Sequence, residues 1–197
     1  MKERVHFALL MLILLSLAGC SSQSPQVSEG SRVLIIIRSY SSYDMSYMTD
    51  NELGVMIDML EDEGFEIRIA SLAHDPYESE TRTITPDLLV SDVDSSAFDA
   101  VVIPCLSTGL NPDTQEIAEL VMEFYNQDIV IAAQHGARAT LNEAEIITDE
   151  QMESSGVIQV GSVITSACCP DAARYYGCED DTRGLIESLI TTLNDGV

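Results

Sequence analysis

The stretch Val130-Ile-Ala-Ala-Gln-His-Gly-Ala-Arg138 decides how the rest of the chain is read. Val130 to Ala133 is an apolar run of strand length, and Gly136 with the alanines around it opens a helix-compatible segment whose apolar face continues at Leu141. A strand running straight into a helix through a small-residue turn is the architecture of a nucleophile elbow, in which the turn residue stands above the sheet edge. Counting from the end of the apolar run puts Gln134 at the tip, followed by His135 and Gly136. An amide forms hydrogen bonds but cannot attack a carbonyl, so the scaffold is expected to lack its usual reactive atom.

Outward from this stretch, strands and helices alternate. Val33-Leu-Ile-Ile-Ile37 is a continuous β-branched run, the mark of a strand buried on both faces of a parallel sheet. Leu53, Met56, Ile57 and Leu60 fall at i, i+3, i+4 and i+7, which predicts an amphipathic helix ending at Gly64. Phe65 to Ala70 alternates as a second strand, and Leu88 to Val90 suggests an edge strand or hairpin inside the polar region 71–96. Phe98 to Pro104 supplies a third strand. Asn111 and Pro112 have the chemistry of an N-cap and first helical residue, opening a helix with Ile117, Leu120, Val121 and Phe124 on one face. Asp128 to Ala133 is the fourth strand and Ala137 to Glu145 the helix after it. Residues 157–160 and 162–165 read as a ribbon turning at Gly161, and Ile186, Leu189, Ile190 and Leu193 give the last helix its core face. The expected fold is α/β: a doubly wound, mostly parallel sheet with helices on both faces.

The N-terminus sets the expected location. Lys2 and Arg4 precede an apolar segment, Phe7 to Leu17, that is too short to span a bilayer comfortably. Leu17-Ala-Gly-Cys20 resembles the lipobox of prokaryotic lipoproteins, which implies a signal peptide over 1–19 and a lipid on Cys20. A Ser-, Gln- and Pro-containing tether over 20–31 then leads into one domain over 32–197. The expected product is an extracytoplasmic, membrane-anchored protein on the cell surface or periplasmic side.

The full chain carries 9 Lys and Arg against 33 Asp and Glu, a net charge of −24. Without residues 1–19 it has no lysine and carries −25. Such a surface disfavours nucleic acid as a partner. Four further thiols, Cys105, Cys168, Cys169 and Cys178, are candidates for disulfides outside the cytoplasm, with Cys169–Cys178 the first choice across a short helix-like segment after Pro170.

In open α/β sheets ligands sit beyond the carboxyl ends of the strands. There the sequence places Arg38, Cys105, Gln134, His135 and Gly136, with Cys168 and Cys169 after the last strand. Arg38, Gln134, His135 and Gly136 are the ligand-binding candidates. No CxxC spacing supports a metal site, and no cofactor is expected.

The order of elements, the Phe98-Asp-Ala-Val-Val-Ile-Pro104 strand, the Ala132-Ala-Gln-His-Gly136 turn and the Val163-Ile-Thr-Ser166 strand resemble the DJ-1/PfpI (ThiJ) superfamily. That resemblance implies a glutamine-amidotransferase-like, flavodoxin-like sandwich. It also implies an elbow cysteine acting as nucleophile or oxidation sensor, activities such as peptidase, glyoxalase or deglycase, and frequent homodimers. By the same resemblance Glu52 corresponds to the family's glutamate beside that cysteine, although Thr49-x-x-Glu52 also reads as a helix capping box. Two departures stand out: Gln134 takes the nucleophile's place, and Pro104-Cys105-Leu106 replaces Pro-Gly-Gly. The leading expectation is a non-catalytic binding or structural module for a small ligand or protein partner. The alternative is a hydrolase or a glyoxalase- or deglycase-like enzyme in which a displaced thiol, Cys105 or Cys168, works with His135.

Overall fold

The computed structural model describes residues 30–38, 44–106 and 113–196. The expected signal peptide over 1–19, Cys20, the expected tether as far as residue 29, Asn111 and Pro112 lie outside these residues. Seven strands form one sheet in the order β5-β2-β1-β6-β7-β9-β8. They are β1 (Arg32–Ile37), β2 (Glu66–Ser71), β5 (Leu88–Leu89), β6 (Ala100–Ile103), β7 (Val130–Gln134), β8 (Ile158–Val160) and β9 (Val163–Ser166). Every neighbouring pair is parallel except β8 and β9, which form an antiparallel ribbon at one edge. A separate two-stranded ribbon, β3 (Tyr77–Glu78) with β4 (Thr83–Ile84), occupies part of the polar region after β2. Among the described residues, no helix is long and apolar enough to cross a membrane.

The continuous apolar run of β1 is explained by its central place. Val33 to Ile37 are all at 0 % exposure, and alternate residues serve opposite faces. Val33, Ile35 and Ile37 pack into one core cluster with Met56 and Leu60 of α2 (Gly54–Asp62) and with Leu185, Ile186 and Leu189 of α7 (Thr182–Asp195). Leu34 and Ile36 pack into the other, with Ile117, Val121 and Phe124 of α3 (Asp113–Asn126) and Leu141 of α4 (Arg138–Glu143). Each fully buried side chain of this size contributes roughly 1.5–3 kcal/mol of hydrophobic stabilisation. The doubly wound layering is therefore set by the parity of the strands.

The remaining helices frame the carboxyl edge. α1 (Met45–Met48) runs directly into a π-helical turn, Thr49–Leu53, and then into α2. The capping-box reading of Thr49 and Glu52 is overturned here. Thr49 has αR geometry (φ −60°, ψ −39°) within continuous helix, so no helix starts there to be capped. The capping box that does form is elsewhere: Thr148 and Gln151 bond reciprocally at the start of α5 (Asp149–Glu153). Past β9 comes α6 (Pro170–Tyr176), with Pro170 in its first turn and Gly177 closing it at φ 71°. Arg174 of α6 stacks over the Tyr47 ring at 4.1 Å and pairs with Asp44 at 3.2 Å, which joins α6 to α1.

The disulfide differs from the expected pairing. Cys168, not Cys169, is bonded to Cys178, with Cα atoms 6.2 Å apart. Consecutive residues at the end of β9 go to different partners. Cys168 takes the bridge across α6, while Cys169 becomes the N-cap residue of α6 and stays free.

Candidate functional site

The carboxyl ends of β1, β6, β7 and β9 lie side by side, and the loops leaving them converge. After β7 the chain turns through His135–Ala137 into α4. His135 is the strained residue of that turn, at φ 32°, a region that side chains other than glycine rarely occupy. The tip of the elbow is therefore His135, one residue later than the apolar run suggests. Gln134 is the last residue of β7, with extended geometry (φ −86°, ψ 127°) and 0 % exposure.

Strand parity explains where the Gln134 side chain goes. It lies two residues after Ala132, on the face covered by α7, and opposite Ser166 in register. Its Nε2 donates to the Cys168 carbonyl (2.9 Å) and to Thr182 Oγ1 (3.0 Å), and its Oε1 accepts from Ser166 Oγ (2.7 Å). The amide thus joins β7 to β9 and to the start of α7. It is a structural crosslink, not a ligand-binding group.

Above this crosslink three ligand-bearing side chains meet. Cys105 follows β6, His135 tops the elbow and Cys169 opens α6. Cys105 Sγ lies 3.5 Å and Cys169 Sγ 3.7 Å from His135 Nδ1, and the three atoms are all within 4.8 Å of one another. The Gly136 N–H donates to Cys105 Sγ at 3.4 Å. Both sulfurs are buried, at 3 % and 1 % residue exposure, while His135 is half-buried.

The two thiols are electrostatically unequal. The Cys105 thiol donates a hydrogen bond to the Cys169 sulfur, which holds Cys169 down at about 5, against its own burial and with help from His135 and the Ala172 N–H. The same hydrogen bond, with burial and the nearby Glu52 carboxyl, pushes Cys105 well above the ordinary thiol value. The pair therefore holds one proton on Cys105, with the negative charge on Cys169.

Glu52 and Arg38 shape the loop that carries Cys105. Glu52, on the π-helical turn and at 0 % exposure, accepts from the backbone N–H groups of Cys105 (2.8 Å) and Leu106 (3.2 Å). π-Turns inside helices recur at functional sites. Burial, followed by the charge on Cys169, raises the Glu52 carboxyl well above the carboxylate range, opposed by those two N–H groups and by Arg38. Arg38 is 4 % exposed, and its guanidinium donates to the carbonyls of Cys105 (2.9 Å) and Gly136 (3.2 Å) and to Thr140 Oγ1 (3.3 Å). It ties the β6 loop to the elbow from behind.

Several sequence candidates thus change role. His135 and Cys105 come together as expected, and Gly136 contributes its N–H. Arg38 and Gln134 are framework. Cys168, an alternative nucleophile by sequence, is consumed by the disulfide and cannot attack. Cys169, counted by sequence only as a disulfide partner, is the candidate that sequence reasoning missed, brought beside His135 and Cys105. The signal for it was the Cys-Cys dipeptide, because consecutive side chains at a strand end diverge.

The model of the DJ-1/PfpI family matches residues 32–160. Among solved structures, a ThiJ/PfpI domain protein from Brachyspira murdochii superposes with a TM-score of 0.55 at 17 % identity, covering 84 % of this chain and 99 % of its own. A two-domain protein from Anabaena variabilis with DJ-1/ThiJ/PfpI-like and ferritin-like domains gives 0.57 at 20 % identity, over 81 % of this chain and 48 % of its own. DJ-1beta of Drosophila melanogaster gives 0.53 at 18 %, over 82 % and 98 %. No curated protein sequence matches the chain closely enough to count as a relative.

Proposed function

The chain belongs to the DJ-1/PfpI family, and we propose that within it the protein is a membrane-anchored binding module that holds a small electron-accepting ligand on Cys105, His135 and Cys169. The observation that carries this reading is the identity of the elbow tip. His135 stands at the strained position, φ 32°, where the family's chemistry needs a sulfur nucleophile. An imidazole there can donate, accept or ligate, but it cannot form the thioester or hemithioacetal bond of a cysteine elbow. Both free sulfurs lie beside the ring and are buried, an arrangement suited to gripping a ligand from several sides.

A second reading keeps catalysis and assigns it to a displaced thiol. The observation in its favour is that Cys169 is free and within 3.7 Å of His135 Nδ1. A thiol beside a base is what nucleophilic catalysis requires. Peptidase, glyoxalase and deglycase assays on the wild-type, Cys105→Ser and Cys169→Ser proteins separate the two readings. The binding module gives background rates in all three. Wild-type turnover lost in Cys169→Ser overturns it and establishes the displaced-thiol enzyme.

Anchoring through a lipid on Cys20 completes the proposal, supported by the Leu17-Ala-Gly-Cys20 sequence. One acyl chain holds a protein only weakly, so several chains on this residue are needed for stable attachment. Cys20→Ser is expected to shift the protein from the membrane fraction to the soluble fraction or leave an uncleaved precursor. An unmodified mature N-terminus elsewhere refutes the anchor.

A further inference from the structure

Cys105, His135 and Cys169 come from three separate parts of the chain, yet their ligand atoms face one point. The sulfur-to-nitrogen separations are 3.5 and 3.7 Å, and the three atoms lie within 4.8 Å of one another. A tetrahedral ion with metal–sulfur bonds of about 2.3 Å and metal–nitrogen bonds of about 2.0–2.1 Å spaces a sulfur and a nitrogen ligand about 3.6 Å apart. The two observed edges bracket that value. Two edges of such a coordination tetrahedron are thus already at their bonded spacing, and the sulfur–sulfur edge is no longer than 4.8 Å.

We propose that Cys105 Sγ, His135 Nδ1 and Cys169 Sγ form a three-ligand site for a soft or borderline closed-shell cation, Zn²⁺ or Cu⁺. This rests on the binding-module reading above and names its ligand. The donor set selects the class. Two sulfurs and an imidazole favour Zn²⁺ or Cu⁺, whereas Mg²⁺ and Ca²⁺ require oxygen donors. The nearby carboxylate does not supply them, because both Glu52 oxygens accept the backbone N–H groups of Cys105 and Leu106. Those contacts hold the Cys105 loop in place.

The surroundings suit bound thiolates. Gly136 donates its N–H to Cys105 Sγ, and the Ala172 N–H donates to the Cys169 sulfur. Such outer contacts orient ligands and stabilise their charge. The disulfide takes Cys168 out of competition and leaves Cys169 free to ligate. Binding releases the remaining thiol proton, the two thiolates balance the charge of Zn²⁺, and the fourth coordination position is left to water or an added ligand.

The test uses the full chain in detergent, stripped of metal with a chelator and kept under nitrogen with the Cys168–Cys178 bridge intact. Zinc chloride and, separately, Cu⁺ are titrated against competing chromophoric chelators, and Co²⁺ is added as a spectroscopic probe. The expected result is one equivalent per chain for Zn²⁺ or Cu⁺. Co²⁺ is expected to give intense tetrahedral d–d bands and a sulfur-to-cobalt charge-transfer band. Cys105→Ser, Cys169→Ser and His135→Ala should each weaken binding by at least ~100-fold, beyond the 10–100-fold typical of outer-contact changes. His135→Cys, which restores a soft donor, should retain Zn²⁺. No stoichiometric binding by the wild-type chain with Cys105 and Cys169 as free thiols overturns the inference, as does a native Cys105–Cys169 disulfide found by thiol counting. The Co²⁺ spectrum of the wild-type protein decides the matter even if a serine variant fails to fold. Thiol-dependent turnover would instead overturn the binding-module reading, so the two failures are distinguishable.

Discussion

Replacing Gln134 by cysteine is the direct test of where the elbow tip lies. By sequence spacing this substitution restores the family's nucleophile; by structure it removes a buried crosslink. Gln134 makes three hydrogen bonds at 0 % exposure. Thr182 Oγ1 retains its donation to Asp180 at 2.7 Å and the Cys168 carbonyl keeps the Asp181 N–H at 3.0 Å, but the Ser166 hydroxyl loses its bond to Gln134. A buried polar group left unsatisfied costs roughly 1–3 kcal/mol, so Gln134→Cys, which strands one such group, should lose about 1–3 kcal/mol. For a domain of this size each kcal/mol lowers Tm by about 2–4 °C, and a loss of ~2 kcal/mol becomes a drop of ~4–8 °C. His135→Cys, at the half-buried tip, should stay within about 1 kcal/mol of wild type. Circular-dichroism melts measure the stabilities. Brief alkylation of the folded proteins, followed by peptide mass spectrometry, reads which new thiol is accessible. The expected pattern is a destabilised, unreactive residue 134 and a near-native, reactive residue 135. An unchanged melt with rapid labelling of residue 134 would refute the assignment.

Removing the disulfide with Cys178→Ser should cost about 3 kcal/mol by loop-closure entropy for a sequence separation of 10; denaturant midpoints test this, and an unchanged midpoint contradicts it. In metal-free protein, ultraviolet thiolate absorbance should show one thiolate per chain titrating near pH 5, from Cys169, with Cys105 still protonated at neutral pH. Because Cys169 is depressed in the folded state, its contribution to stability is present above the ordinary thiol value of 9.0 and is lost as pH falls through about 5; the raised Cys105 opposes it. Absence of any thiolate signal below pH 7 counts against the shared-proton arrangement. With a net charge of −24, the melting temperature should climb with sodium chloride, most steeply up to ~0.2 M as the Debye length falls below ~10 Å. A flat salt series would mean that the acidic groups are already well separated.

The sequence by itself determined the layers and most of their elements. Five consecutive buried residues in β1 and helical spacing at Leu53–Leu60 and Ile117–Phe124 are local patterns, and the hydrophobic effect makes them nearly independent of distant partners. The edge strand β5 and the ribbon β8–β9 were legible for the same reason. That Cys105 and His135 come together was legible because strand ends in an α/β sheet converge. What the sequence could not determine was side-chain direction at those ends. Gln134 and His135 are adjacent, and a single residue of phase decides which is buried under α7 and which tops the turn. Cys168 and Cys169 differ in the same way, one bridging to Cys178 and the other closing on His135. Thr49-x-x-Glu52 has the letters of a capping box, yet α1 continues through it, and the Glu52 carboxyl is spent on two N–H groups more than fifty residues away. These choices depend on contacts between distant segments, and only the packed tertiary structure brings those segments together.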